Sequence, residues 1–310
     1  MKTFSRFQFY VIICLLLVFS GADSYSQLPG YDILKTEISA RAAGMGGAFT
    51  GISGDHHSVF YNPAGLSGLS SKKIGFTYLD HTLDIKSGNF IYASEFKQDI
   101  RYALGMNYIN YGSFEGRDLS GLPTGTYSAQ DVVFTGGVAK KHNTNLSYGG
   151  SVKMLYSKIA EYSSSVMAIN AGMTYFIPKH ELTLGLSFEN VGYVMSAYYD
   201  TKDDMPTMIK GGFSKKLAHL PLLVNIEYRQ MTNSDYQFVG GGEFTFSDRF
   251  KGRFGYNSYG RDQKIDDEGG ILTGLSLGFG VYFKQYIVDY SFTSKGVIGD
   301  LQRLTVSWSM

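Results

Sequence analysis

The sequence predicts an all-β fold: a transmembrane antiparallel β-barrel of about fourteen strands with an N-terminal plug segment. Three observations predict it. Apolar residues alternate with polar or small ones in segment after segment, the period of a strand with one face in lipid and the other in a polar lumen. The links between those segments alternate between short and long, as in a barrel with tight turns at one rim and loops at the other. No apolar stretch after Phe19 is long enough to cross a bilayer as a helix, and a closed barrel is the other way to satisfy every backbone group in lipid. Composition agrees, with 24 Tyr, 22 Phe and 38 Gly against only 6 Pro.

The chain opens on a secretory signal. Lys2 and Arg6 precede an unbroken apolar run over 11–19, followed by Ser20, Gly21, Ala22, Ser24 and Ser26. That is the anatomy of a cleaved signal peptide, assigned to 1–26, with a cut after Ala22 as the second choice. Cys14 lies inside the apolar run, which argues against a lipoprotein signal. It is the only cysteine, so the mature chain uses neither disulfides nor thiolate metal sites. The expected location is the outer membrane.

Residues 27–71 differ in kind. Arg41 stands alone among small residues with Gly44, Gly46 and Gly47, and Asp55 and then Asn62-Pro63-Ala64-Gly65-Leu66 follow. Glycines allow positive φ and close packing, and Pro63 favours an extended Asn62 before a turn. A barrel of this strand number has a lumen wide enough to leak unless filled. The segment is therefore read as a plug or a periplasmic collar.

The barrel occupies 72–310. Strands are expected at 72–80, 88–96, 100–111, 129–140, 144–157, 164–176, 181–190, 206–216, 221–231, 236–247, 249–259, 270–282, 285–294 and 300–310. In the seventh, Leu182, Leu184, Leu186 and Phe188 share one face against Thr183, Gly185, Ser187 and Glu189. The ninth sets Leu222, Val224, Ile226 and Tyr228 toward lipid and Asn225, Glu227 and Arg229 toward the lumen. The last sets Leu304, Val306, Trp308 and Met310 against Thr305, Ser307 and Ser309. Odd-to-even links at 80–87, 112–128, 191–205 and 260–269 are long, and even-to-odd links at 97–99, 141–143, 178–180, 218–220, 248 and 284 are tight. The link at 232–235 is a short exception.

The same faces place charges inside. A lipid-facing Lys or Arg at mid-membrane costs about 2–4 kcal/mol, so Glu189, Glu227, Arg229, Glu243, Lys251, Arg253 and Asp289 are expected to face the lumen. Arg41 is expected to reach one of these carboxylates, because a guanidinium donates several bonds at fixed angles.

Several chemical patterns are discounted. Gly274-Leu275-Ser276-Leu277-Gly278 matches a nucleophile elbow, but that chemistry needs a strand-to-helix turn. His56-His57 beside Asp55 are possible metal ligands, but adjacent side chains point apart in extended chain. The acidic runs Asp203-Asp204 and Asp266-Asp267-Glu268 suit solvated loops. The formal net charge of +1 gives no nucleic-acid footprint. No enzyme activity, cofactor or metal is expected.

The stretch from Ser39 to Leu66, with its Arg41, Gly46 and Asn62-Pro63-Ala64-Gly65-Leu66 spacing, resembles the N-terminal signature of the PorV/PorQ family of outer-membrane proteins. The resemblance continues at Glu115-Gly116-Arg117-Asp118, at 123–131, at Gly278-Phe279-Gly280 and at Asp289-Tyr290-Ser291-Phe292. It implies a FadL-like barrel and an association with type IX secretion. Two functions follow. In the first, outer loops carrying Arg117, Tyr193, Tyr198 and Tyr199 bind secretion subunits or exported cargo, since exposed aromatics make strong anchors. In the second, an apolar pocket between plug and wall carries a hydrophobic ligand, and the plug moves. Outer-membrane lipids are partners in either case.

Overall fold

The computed structural model describes residues 30–81, 85–232, 236–258, 272–296 and 299–310. The expected signal peptide and the whole link at 260–269, with its acidic run at 266–268, lie outside the described residues.

Fourteen strands close into one antiparallel barrel. They are β1 (Lys73–Asp80), β2 (Lys86–Lys97), β3 (Ile100–Arg117), β4 (Pro123–Lys141), β5 (Leu146–Ile159), β6 (Tyr162–Ile177) and β7 (Leu182–Ser196). The second half comprises β8 (Met208–Lys216), β9 (Leu222–Met231), β10 (Tyr236–Ser247), β11 (Phe250–Asn257), β12 (Leu275–Phe283), β13 (Tyr286–Ser294) and β14 (Asp300–Ser309). Each pairs with its sequence neighbours, and β1 closes on β14 in a register running from Lys73↔Ser309 to Asp80↔Gln302. Closure leaves no free edge around the wall, and beyond Asn110 and before Ala129 the β3–β4 hairpin pairs only with itself.

The pleat then sorts side chains. On β4, Phe134 is 57% exposed while Thr135 is 3% exposed. On β12, Leu277 is 61% exposed while Ser276 is 1% exposed. The exposed set is aromatic and aliphatic, and the buried set is largely Ser, Thr, Asn and charged.

Two expected loops are corrected. Most of 112–128 is strand, and only 118–122 link β3 to β4. The pairing shifts register between Asn110 and Ser113, at Gly112 with φ of 84°. Beyond that bulge neither face is buried, so the alternation that marks a strand fades. β7 likewise runs on through Val191 and Tyr193 to Ser196. Asn190, at φ 56°, lies where the β6–β7 register shifts. A one-residue shift swaps the faces, so the sequence pattern breaks where the strand does not.

Residues 30–70 pack against the inner faces of strands from every side of the barrel. Val59 meets β4, Pro63 and Ala64 meet β5, Asn62 meets β6, Thr50 meets β7, Gly51 meets β8, Met45 meets β10 and Gly46 meets β11. The segment holds 3-10 turns at Asp32–Lys35, His56–Phe60 and Pro63–Gly68, and the short helix α1 (Ala40–Gly44). α1 and the last two turns begin where a short polar side chain caps them. The Ser39 side chain accepts from Ala42 N–H, Asp55 from His57 N–H and Asn62 from Ala64 N–H, with Pro63 in the first position of its turn. Gly46 and Gly47, at φ 69° and 93°, end α1 in the left-handed region, where only glycine is unstrained.

Glycines in the wall let this segment approach. A Cβ on Gly241 would strike the Met45 carbonyl, and one on Gly185 would strike the Thr50 carbonyl. Gly211, in contrast, has nothing within 4 Å of a would-be Cβ. Gly241→Val is therefore expected to destabilise the barrel by about 1–3 kcal/mol, the usual cost of overpacking, while Gly211→Val changes little. The temperature at which the folded band converts to the unfolded band on a denaturing gel measures both. Equal midpoints for the two variants would contradict the close approach.

Candidate functional site

The lumenal charges form three groups. The first gathers around Glu243 on β10. Arg41 donates to it from both Nε and Nη2, at 2.8 and 2.9 Å, and from Nη1 to Asp55 at 2.9 Å. Arg253 Nε and Lys251 Nζ approach the same carboxylate at 2.8 and 3.2 Å, and Arg253 Nη1 reaches Asp289 at 2.7 Å. Sequence reasoning left Arg41 a choice of several carboxylates. The structure selects Glu243, which faces Arg253 directly across the β10–β11 ladder.

The second group lies on β9. Glu227 accepts from the Phe49 and Thr50 N–H groups at 2.9 and 2.8 Å and from Arg229 Nε at 2.6 Å. Arg229 also donates to Glu37 at 3.1 Å and to the Gly47 carbonyl at 2.6 Å. The third joins Lys210 to Glu189 at 3.0 Å and Lys153 to Asn190 at 2.9 Å. Glu37, Lys153, Lys210, Asn190 and Arg303 were not singled out from the sequence. Lys153 and Lys210 follow the same period-two rule as the others and were legible by it. Glu37 was not, because its partner is set only by the path of the N-terminal segment.

The remaining candidates divide. Gly44 lies against Arg253 and Gly278, and Gly65 against Ile52 and Ser58. Arg117 is exposed and pairs with Glu115 at 3.1 Å. Tyr199 is 73% exposed in the β7–β8 link, whereas Tyr193 is outward on β7 rather than in a loop. Tyr198 is corrected as an outer contact: it turns inward, stacks on Tyr31 at 6.4 Å and donates to Ser157 Oγ. Ser276 of the apparent elbow motif is buried on β12 and bonded to Thr293 at 3.2 Å. The reason given for discounting the histidine pair is also corrected. His56 and His57 lie in a 3-10 turn, not extended chain, and their rings are 4.1 Å apart.

Near the long-loop rim the lumen wall carries an apolar patch. Inward-facing Ile109, Val133, Leu155, Val166 and Val194 form one buried cluster, and the chain's own Tyr31, Ile33 and Leu34 fill it. Gly30 abuts Asp203 in the β7–β8 link, so the segment enters at this rim and descends toward the start of β1. Beside it, a polar cavity of about 350 Å³ is lined by residues including Glu37, His81, Arg229, Lys295 and Arg303. Burial, with Arg303 and Lys295 nearby, pushes the His81 imidazole down to about 4, so it is neutral at pH 7. On the lipid side an apolar cavity of about 610 Å³ is walled by Ile226, Phe238, Phe254 and Leu277. Its floor includes Gly241 and Gly255, against whose inner side Met45 and Gly46 pack.

No family model and no curated protein matches the chain. Solved structures do. The Ralstonia pickettii toluene transporter TbuX aligns with a TM-score of 0.60 over 86% of this chain and 95% of that one, at 11% identity. The Pseudomonas putida toluene transporter TodX gives 0.59 over 91% and 97%, also at 11% identity. A Pseudomonas aeruginosa FadL homologue gives 0.58 over 88% and 98%, at 10% identity. The fold is FadL-like. At these identities the likeness is one of architecture alone.

Breaking a buried ion pair by removing one partner costs about 3–5 kcal/mol, because the other charge stays buried and unpaired. Glu243→Ala leaves Arg41, Lys251 and Arg253 facing one another and is expected to lower the unfolding midpoint on the same gel more than Glu115→Ala, whose pair is exposed. The reverse order would show that the network contributes no stability.

Proposed function

We propose that the protein is a non-enzymatic outer-membrane channel for hydrophobic small molecules, with residues 27–71 as a plug that yields to the ligand. One observation carries this reading: the apolar patch at the long-loop rim of the lumen, built by five wall strands and occupied by Tyr31, Ile33 and Leu34. A pore for hydrophilic solutes is lined by polar groups. Burying each such apolar side chain contributes roughly 1.5–3 kcal/mol, so a hydrophobic ligand in the patch can replace what the segment loses on leaving. Tyr31 and its neighbours are thus a built-in competitor. Displacing them pulls on the chain leading to α1, where the Arg41–Glu243 pair holds the plug. The apolar cavity over Gly241 and Gly255 offers a way toward lipid, separated from Met45 and Gly46 only by backbone. Two structures of the same fold belong to toluene transporters, which supports an aromatic hydrocarbon as the first ligand to try.

A second reading, docking of exported protein in type IX secretion as in the PorV/PorQ family, has one observation in its favour. The β3–β4 hairpin carries exposed Leu119 and Leu122 at its tip and a stacked Phe114–Tyr127 pair at 5.4 Å. Affinity purification from native membranes separates the two: co-purified secretion subunits or cargo favour docking, and lipid-like ligand without protein favours transport.

Fluorine NMR of 4-fluorotoluene with the detergent-solubilised barrel is expected to show line broadening that toluene reverses. Val133→Asp is expected to weaken that binding roughly tenfold or more, since about 1.4 kcal/mol is tenfold and a charge now borders the patch. Binding unaffected by Val133→Asp would remove the patch from the mechanism.

The plug has its own check. Arg41→Ala is expected to lower the unfolding midpoint and to speed entry of small solutes into liposomes. If neither changes, the segment does not seal the lumen.

A further inference from the structure

Asp55, His56 and His57 offer one donor atom each, all within 4.8 Å of one another. His56 Nδ1 and His57 Nδ1 lie 3.5 and 3.4 Å from the same oxygen, Asp55 Oδ1. Both separations exceed those of a good nitrogen–oxygen hydrogen bond. They match the spacing of two ligands on one tetrahedral cation, about 3.4 Å for metal–ligand bonds near 2.1 Å.

Two independent features point the same way. First, a polar atom here is orphaned. His56 is 4% exposed, yet its Nδ1, the atom that faces Asp55, has no hydrogen-bond partner. Burying such groups unpaired is costly. Second, the outer partners of a metal site are in place. His56 Nε2 lies 3.1 Å from Ser307 Oγ on β14. With the proton on Nε2, the Nδ1 lone pair faces Asp55, an arrangement that is repulsive unless a positive charge stands between them. Metal-bound histidines hold their second nitrogen in this manner. Asp55 is oriented too, by Arg41 at Oδ2 and by the His57 N–H at Oδ1, 2.8 Å away.

We propose that Asp55, His56 and His57 form a buried site for one divalent first-row transition cation, with two imidazoles and one carboxylate as ligands. This donor set suits zinc and its neighbours rather than calcium or magnesium, which favour all-oxygen sites. The cation fixes the turn at His56–Phe60, which reaches the wall through His56 Nε2 and Ser307 Oγ on β14. It stands apart from the apolar patch, so it fixes the lower part of the N-terminal segment while the upper part is free to exchange. Because both histidines are enclosed, the cation enters before the segment seats.

The test is to refold the tag-free chain in detergent with zinc chloride, desalt it, and measure zinc by mass spectrometry in the fraction that shows the folded gel shift. One equivalent of retained zinc is expected in the wild type and in His142→Gln, which removes an exposed histidine. His57→Gln and Asp55→Asn are expected to lower affinity roughly tenfold or more. Cobalt should give visible absorption typical of nitrogen and oxygen ligands in the wild type and lose it in His57→Gln. Folded wild-type protein without zinc, or equal retention in His57→Gln, would overturn the site. The wild-type result decides the matter even if a variant fails to fold.

Discussion

Glu243 sits on β10 with Arg41, Lys251 and Arg253 around it, and the arrangement sets the terms for the rest of the molecule. A lumen of this width cannot be filled by wall side chains alone. It is filled by chain, and that chain brings backbone polar groups that must be paired. The wall supplies the partners. Glu227 accepts the Phe49 and Thr50 amides, Thr305 accepts the Ala40 amide, and Arg303 donates to the Glu37 carbonyl. Charges that would be prohibitive in lipid become useful when they face one another across the lumen. Arg253, with no exposed side-chain surface, is answered by both Glu243 and Asp289.

The glycines of the wall are the counterpart of those charges. Where the N-terminal backbone lies flat on the sheet, as Met45 does at Gly241, a side chain would hold it off. Where a polar side chain must reach it, the wall carries Glu, Arg or Thr instead. Small and long residues thus alternate around the barrel according to how near the inner segment comes, and the lipid face shows little of this.

Along its axis the lumen divides. At the long-loop end the contacts are apolar and lie against Tyr31, Ile33 and Leu34. Further in lie the ion pairs around Glu243 and Glu227, and beside the Asp55–His57 turn a second apolar cluster packs Phe60 and Leu66 with Ile91 and Ala93 of the wall. Apolar contacts exchange readily for an apolar ligand, because the gain is non-directional. A bidentate guanidinium does not exchange in this way, because its geometry is fixed. In the proposed channel, the segment loosens from one end while the other end holds.

The barrel was legible in the sequence, and the site only in part. Period-two alternation placed Ile226 outward and Asn225 inward, and it put Glu227, Arg229, Glu243 and Arg253 on the polar faces, because lipid admits one kind of side chain and the pleat allows two directions. The same rule ended β3 and β7 too early, at 112–117 and 191–196, and began β4 too late, since a bulge at Gly112 or a positive φ at Asn190 shifts the period without ending the strand. It also read His56 and His57 as extended, where a 3-10 turn brings their rings together. Which carboxylate Arg41 would find, that Tyr198 would turn inward, and that Tyr31 would fill an apolar patch built by five different strands were decided by tertiary structure alone. Alternation is a local property, carried by neighbours two apart in the chain. Those contacts join residues far apart in sequence, and only the closed wall brings them within reach.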